Sequence, residues 1–283
     1  MNILVTGSNG QVGSELQALA DAYPQFSFIF VDKKDLDIGH EEAVHAFFDT
    51  HNFDYCINCA AYTAVDQAES DTETAYLVNA MGAKNLATAC KKHATRLFQI
   101  STDYVYHNHQ NTPFKEQDAT SPKSVYGRTK LEGEKLALGN HTETLILRTS
   151  WVYSSFGNNF VKTMIRLGSD RDQLGIIFDQ IGSPTYARDL AKAMLDIINQ
   201  NPKEFTGIYH YSNEGVCSWF DFATAIFELE KIDCQVNPIE TKDYPTPAQR
   251  PHFSLLNKGK IKATFGLEIP YWRESLKACL ELL

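Results

Sequence analysis

Tyr126-Gly-Arg-Thr-Lys130 sets a phenol and an ammonium four residues apart. On a helix, positions i and i+4 share a face, so both groups point the same way. A free phenol has a pKa near ~10 and is a poor acid–base group at neutral pH. A neighbouring cation favours its ionised form, so Lys130 is expected to lower the Tyr126 pKa. The chemistry that suits the pair is carbonyl reduction. Hydride addition leaves an alkoxide that needs a proton, and Tyr126 can give it. Lys130 can in addition bond the ribose of a nicotinamide. The spacing alone is common in helices and carries little weight by itself. Ser101-Thr-Asp-Tyr-Val105 adds to it, because it follows an apolar run and so sits at a strand's C-terminal end. In an open parallel sheet the ligand crevice lies there. Thr102 can bond the substrate carbonyl oxygen and steady the developing charge, and Asp103 can bond a sugar hydroxyl. The plainer reading of Ser101 and Thr102 is turn chemistry.

Thr6-Gly-Ser-Asn-Gly-Gln-Val-Gly13 supplies a place for an anion. Gly7 is expected to make a tight turn, Gly10 to let the backbone approach a pyrophosphate, and Gly13 to let a helix pack close to the sheet. Backbone N–H groups at Gly10, Gln11 and Val12, with the helix dipole, would then hold the phosphates. The next apolar run ends at Asp32, an acid placed to bond the adenosine ribose hydroxyls, which favours NAD. Lys33 and Lys34 follow at once and can meet a 2′-phosphate instead, so NADH and NADPH both stay open. Asp37 and Ile38 are candidates for the adenine side.

These groups need elements to position them. Apolar runs at Asn2–Thr6, Phe26–Val31, Tyr55–Ala60, Arg96–Ser101 and Glu143–Arg148 read as strands. Between them, Gln11–Ala22, Glu41–His51, Thr72–His93 and Val125–Leu138 carry apolar residues at helical spacing. Strands alternating with helices imply right-handed crossovers and a parallel, doubly wound α/β sheet. After Trp151 the rhythm changes. Helices are expected at Asn158–Leu167, Ala187–Asn199 and Trp219–Leu229, with short strands, a Pro-rich loop at Tyr244–Pro251 and a last helix near Tyr271. This portion reads as too irregular to continue the sheet and as a smaller second lobe. Residues 1–150 and 180–202 are assigned to dinucleotide binding, 151–179 and 203–283 to the substrate lobe.

The bulk properties agree with such an enzyme. The chain has 283 residues, 43% of them hydrophobic, enough to bury a full core. Thirty-five acids against 26 bases give a net charge of -9, which argues against nucleic-acid binding. No segment has the length or flanks of a membrane span or signal peptide. The six cysteines are scattered as in a reduced, cytoplasmic protein. Cys56 and Cys59 fall on one strand three residues apart, so they face opposite ways and read as packing residues. His107 and His109 read as a solvated loop, and no metal is expected.

Taken together, these motifs resemble the extended short-chain dehydrogenase/reductase family, and within it the branch that reduces dTDP-4-dehydrorhamnose. The matching stretches run through nearly the whole chain. They are Gly7–Gly13, Asn58-Cys-Ala-Ala-Tyr-Thr-Ala-Val-Asp66, Ser101–Val105, Tyr126–Lys130, Arg148-Thr-Ser-Trp-Val-Tyr153, Gly157-Asn-Asn-Phe160, Asp179-Gln-Ile-Gly-Ser-Pro-Thr185 and Arg250-Pro251. The resemblance implies a Rossmann-like sheet with a smaller C-terminal substrate-binding lobe. It implies hydride delivery from NADPH or NADH to C4 of dTDP-4-dehydro-6-deoxy-L-mannose, with dTDP-L-rhamnose as product. Tyr126, Lys130 and Thr102 become the catalytic set, and Thr102, Asp103 and Trp151 meet the sugar. Ala61, Tyr62 and Thr63 line the cofactor, and Asn79 becomes a structural and proton-path asparagine. Trp151 has an alternative as a core aromatic. Arg148 and Arg250 are weaker candidates for the diphosphate, against a structural salt bridge. Some relatives dimerise through a glutamate-held magnesium. Glu15 matches one ligand and Glu281 is a candidate for another, but Arg188 stands where a further glutamate would fall, which argues against the metal and leaves a homodimer open. Two alternatives remain: another sugar-nucleotide 4-ketoreductase or an epimerase, and a non-catalytic binding protein like the regulatory subunit of methionine adenosyltransferase. The latter predicts loss of Thr102, Tyr126 and Lys130, all of which stand.

Overall fold

The computed structural model describes the whole chain, Met1–Leu283. Its centre is a sheet of six strands: β1 (Asn2–Thr6), β2 (Ser27–Val31), β3 (Tyr55–Asn58), β4 (Arg96–Thr102), β5 (Thr144–Thr149) and β6 (Gly207–His210). All pairings are parallel, in the order β6-β5-β4-β3-β1-β2. Strands β3 and β5 are buried along their whole length, which is why they read as unbroken apolar runs and not as alternation.

Side chains leave the sheet on alternate faces. Ile3, Val5, Ile57, Phe98 and Leu147 pack under Leu16 and Leu19 of the helix Gln11–Leu19 and Leu190 and Met194 of the helix Ala187–Gln200. Leu4, Cys56, Leu97 and Ile146 pack on the other side, against Val44, Phe48, Leu86 and Ala137 of the helices Glu41–Asp49, Gly82–Lys92 and Val125–Asn140. The sheet is therefore doubly wound, as the alternating pattern implied. Cys56 and Cys59 do part to opposite faces, Cys56 in one core and Cys59 against the other. No helix is long and apolar enough to cross a membrane.

One expectation is corrected. Gly207–His210 does continue the sheet, pairing with β5 from Gly207↔Leu145 to His210↔Arg148. Four residues behind a glycine give too short a pattern to register as a strand, and the pairing depends on the preceding crossover helix Ala187–Gln200. The helix expected within Thr72–His93 is present, with a widened turn inside it. It runs as α-helix Thr72–Tyr76, a widened π turn Leu77–Met81, then α-helix Gly82–Lys92. Such bulges concentrate at functional positions, and this one contains Asn79.

The irregular C-terminal portion has its own core. Phe222, Ile226, Trp272 and Leu276 gather with Tyr153, Val161 and Met164, beneath a two-stranded parallel ladder of Gln173–Ile177 and Gln235–Ile239.

Candidate active site

The strands β1, β3, β4 and β5 end at one rim, beside the point where the strand order reverses between β1 and β3. Buried polar side chains knit that rim. Thr6 Oγ1 donates to Asn58 Oδ1 at 2.6 Å, and Asn58 Nδ2 donates to Gln99 Oε1 at 2.8 Å. Above it lies a cleft of about 550 Å³ bordered by Gly10, Gln11, Val12, Ala61, Thr63, Thr102, Asp103, Tyr126, Lys130 and Trp151. A second hollow of about 400 Å³ adjoins it through Gly10, Cys59, Ala60 and Ala61, and is lined by Gly7, Lys33, Asp37, Ile38 and Tyr62. The fold thus brings residues from six segments of the sequence onto one surface. A groove of similar size lies between the helix Ala187–Gln200 and Gly266–Pro270, but Asp189, Asp196 and Glu268 line it. Those acids repel an anionic ligand.

The glycine turn suits a dinucleotide. Gly7 has φ +65°, and a side chain there would stand 2.5 Å from the Ala60 nitrogen. A Cβ on Gly13 would stand 2.5 Å from the Gly7 carbonyl oxygen, so the helix packs against the turn as expected. Gly10 precedes the helix Gln11–Leu19 without any side chain capping it. The first N–H groups of that helix therefore face the cleft without side-chain acceptors, a natural seat for phosphate. Gln11 reaches the far wall, where Asn159 Nδ2 donates to its Oε1 at 3.0 Å. Asp32 borders neither hollow. Its carboxylate accepts from Asn9 Nδ2 at 2.7 Å and from the Lys34 N–H at 2.7 Å, and the Lys34 backbone bond is the main cause of its lowered pKa. Lys33 borders the second hollow in its place, its ammonium 3.7 Å from Asp37 Oδ2.

Asn79 explains how the loop and the helix carrying Tyr126 and Lys130 are held together. Its Oδ1 accepts from the Tyr62 N–H at 2.8 Å, and its Nδ2 donates to the Tyr62 carbonyl at 3.1 Å and to Thr129 Oγ1 at 3.2 Å. One buried amide thus satisfies the loop Ala61–Thr63 and touches the helix between Tyr126 and Lys130.

Tyr126 and Lys130 lie on the helix Val125–Asn140, which Ser124 caps by accepting the Gly127 N–H at 3.1 Å. The expected lowering of the Tyr126 pKa is corrected. Burial raises it to about 12, a hydrogen-bonding contact with Thr102 pulls it down, and Asp103 pushes it up. Lys130 does not offset this, because its ammonium donates to the Ile100 carbonyl at 2.6 Å. Burial lowers Lys130 itself to about 8, with Glu134 opposing. Asp103 is 2% exposed, and burial raises its carboxyl to about 6, opposed by the nearby Ser254 and Thr102 hydroxyls; Thr102 Oγ1 donates to its Oδ1 at 3.1 Å. Its Oδ2 has no partner within the chain.

Trp151 borders the cleft with a left-handed backbone, φ +49°. Its ring stacks on Trp219 with centroids 3.7 Å apart and planes 10° apart, and Trp219 Nε1 donates to Gln180 Oε1 at 3.2 Å. Trp151 is therefore both packed and site-lining. Gln180 stands in the Asp179–Thr185 motif and Trp219 opens a helix, but neither was given a part beside Trp151, because nothing in their spacing ties them to residue 151.

Neither arginine proposed for the diphosphate is free. Arg148 is 2% exposed and doubly bonded to Glu134. Arg250 pairs with both oxygens of Asp66, at 3.1 and 2.7 Å. Each stands beside an acid that sequence separation concealed. Glu15 is fully buried, accepts from Ser154 Oγ at 2.6 Å and lies 3.3 Å from Arg188. Glu281 is exposed at the C-terminus. His107 and His109 join no cluster of metal-ligating side chains.

A turn for a dinucleotide and an acid–base pair thus share one cleft. Residues 1–283 match the family model described as the RmlD substrate binding domain. The chain belongs to the RmlD family. A curated relative, the dTDP-4-dehydrorhamnose reductase of Aggregatibacter actinomycetemcomitans, is 41% identical over 97% of both chains. A crystal structure of a dTDP-4-dehydrorhamnose reductase from Clostridium acetobutylicum is similar at 43% identity and a TM-score of 0.96, covering 100% of this chain and 99% of that one. A Bacillus anthracis dTDP-4-dehydrorhamnose reductase, solved in complex with NADP, is 38% identical with a TM-score of 0.95 over 100% and 99%. The Rossmann-like, doubly wound sheet expected from the sequence is therefore shown for this RmlD chain.

Proposed function

We propose that the chain reduces the C4 keto group of dTDP-4-dehydro-6-deoxy-L-mannose (dTDP-4-dehydrorhamnose) with NADPH or NADH, giving dTDP-L-rhamnose. The observation that carries this reading is the convergence of Thr102, Tyr126 and Lys130 on one cleft whose other end is the uncapped glycine turn. The RmlD relatives, dTDP-4-dehydrorhamnose reductases matched over nearly their whole length, support the choice of substrate. The cofactor, when bound, supplies the hydride.

Gly7, Gly10, Gln11, Val12 and Gly13 seat the pyrophosphate; Asp37, Ile38, Ala61, Tyr62 and Thr63 border its nucleoside ends. Lys33 beside the hollow, with the Asp32 carboxylate already engaged, favours a 2′-phosphate there. Thr102 bonds the C4 oxygen. Tyr126 holds its proton throughout the neutral range, because its pKa is raised. That is the form a reductase needs, since the acid must be loaded when the alkoxide develops. Lys130, its ammonium held at the cleft by the Ile100 carbonyl, bonds the nicotinamide ribose. Asp103 offers its unpartnered oxygen to a sugar hydroxyl, and Trp151 walls the sugar. We assign residues 1–150 and 180–202 to the dinucleotide side and 151–179 and 203–283 to the sugar-nucleotide side, with Gly207–His210 and Gly259–Phe265 packing back onto the sheet.

The direct test is oxidation of NAD(P)H with freshly generated dTDP-4-dehydrorhamnose, followed by product analysis. One dTDP-L-rhamnose per NAD(P)H consumed is expected. Sugar conversion with no net loss of NAD(P)H would instead identify an epimerase and overturn the proposal.

A further inference from the structure

A third ionisable residue follows Tyr126 and Lys130 along the same helix face. Glu134 lies one turn beyond Lys130 and is 2% exposed. The reaction as derived leaves it no part. A buried carboxylate is costly unless it is paired and fully hydrogen-bonded, so its partners indicate what it is for. Arg148 from β5 meets it with two parallel bonds, Nε to Oε1 at 2.8 Å and Nη2 to Oε2 at 2.6 Å. The Ser101 hydroxyl donates to Oε1 as well. The remaining Arg148 nitrogen donates to the Tyr106 hydroxyl, which also meets His210 Nε2 at 2.9 Å. Burial and Arg148 hold His210 down at about 3, so it is neutral.

Ser101 is the joint that matters. It lies between Ile100, whose carbonyl accepts the Lys130 ammonium, and Thr102, which contacts Tyr126. A tie from Glu134 to Ser101 therefore fixes both neighbours of the strand end against the helix. We propose that Glu134 is a positioning residue for the reduction. Clamped by Arg148 and bonded by Ser101, it locks the helix carrying Tyr126 and Lys130 to the strand end carrying Thr102, and sets a carboxylate four residues beyond Lys130 on the same helix face. The inference rests on the reading of Tyr126 and Lys130 as the reacting pair.

Two groups act on Lys130: Glu134 from its own helix and the Cys59 thiol from the loop after β3. Burial holds that thiol far above the neutral range, so Glu134 supplies the negative charge at working pH. Arg148, from β5, acts on it through Glu134, and Asp103, from the end of β4, acts on Tyr126.

The test is the pH profile of kcat/KM for the parent, Glu134→Gln, and the double variant Glu134→Leu/Arg148→Met. The parent's alkaline limb is expected near about 8. Removing the carboxylate should move that limb about one pH unit or more toward acid, the scale of a lost opposite charge nearby. A purely structural Glu134 would lower Tm and leave the limb in place. A folded Glu134→Gln with an unmoved limb overturns the proposal. If that variant does not fold, the double variant decides in the same way, because apolar replacement of a buried pair is often tolerated. Lys130→Met separates the two levels. If it keeps full turnover, the reacting pair itself is wrong; if it is inactive while the Glu134→Gln limb is unmoved, only the role of Glu134 falls.

Discussion

Tyr126 shows how far a residue's chemistry depends on what surrounds it. Four-residue spacing to Lys130 suggests a phenol made acidic by a cation, yet the Ile100 carbonyl takes the ammonium and burial raises the phenol. The result is a phenol that keeps its proton through the neutral range. Tyr126→Phe is expected to lower kcat by about 10²–10⁴, the usual range for general acid–base loss, with cofactor affinity near the parent's by fluorescence titration. Parent-like turnover would remove Tyr126 from the mechanism. Asp103 carries a second prediction. Its folded pKa, about 6, lies above that of an unfolded aspartate, ~3.9. Between those values the folded chain binds more protons than the unfolded one, so this group's contribution falls as pH rises through the window. Asp103→Asn should therefore have a higher Tm than the parent at pH 7 and a higher KM for the sugar nucleotide. A lower Tm at that pH would show that the carboxylate is not strained. Asp32 is testable by comparing specificity constants: a strong preference for NADPH is expected, whereas a clear preference for NADH would restore its ribose role.

Among the elements, the strand-to-helix turn at residues 6–13 was legible because its requirements are local. Gly7 needs a left-handed backbone and Gly13 a close approach, and both needs show in the residue types themselves. Gly7→Ala is expected to lose most NAD(P)H affinity and to unfold at a lower temperature. The left-handed backbone alone costs roughly 1–2 kcal/mol, and the added methyl would meet Ala60 at 2.5 Å. Normal cofactor binding in that variant would mean the turn does not touch the phosphates. The π turn at Leu77–Met81 was not legible, because helical periodicity continues through it. What widens there is the backbone around Asn79, whose amide serves Tyr62 and Thr129, 17 and 50 residues away. The strand Gly207–His210 escaped for the same reason: its identity lies in its pairing with β5.

At the scale of the whole molecule, Asp66 and Arg250 join the short helix Val65–Ala68 to the Pro-rich segment Tyr244–Pro251. Asp66 also accepts the Ala248 N–H at 3.1 Å, so one carboxylate holds both ends of that contact beside Thr63 and Val65 at the cleft. The pair is partly exposed and contributes little to stability by itself, of order 1 kcal/mol or less. Arg250→Met should therefore leave Tm nearly unchanged, raise KM for the sugar nucleotide more than it lowers kcat, and speed proteolytic cutting within 244–251. An unchanged KM with unchanged cutting would show that the contact does not shape the site.

The amino-acid sequence by itself determined the alternation of strand and helix, the glycine turn and the placing of Tyr126 and Lys130 on one helix. Each of these is written in residues within a turn or two of one another, where periodicity and steric need act directly. Only the tertiary structure decided which charges are free. Arg148 and Arg250 looked available until Glu134 and Asp66 appeared beside them, Asp32 until Asn9 and Lys34 took its carboxylate, and Trp151 was ambiguous until it stacked on Trp219. The physical reason is that pairing, burial and the pKa values they set are properties of neighbours in space. Except in the local turn at Asp32, the chain separates those neighbours by 14 to 184 residues.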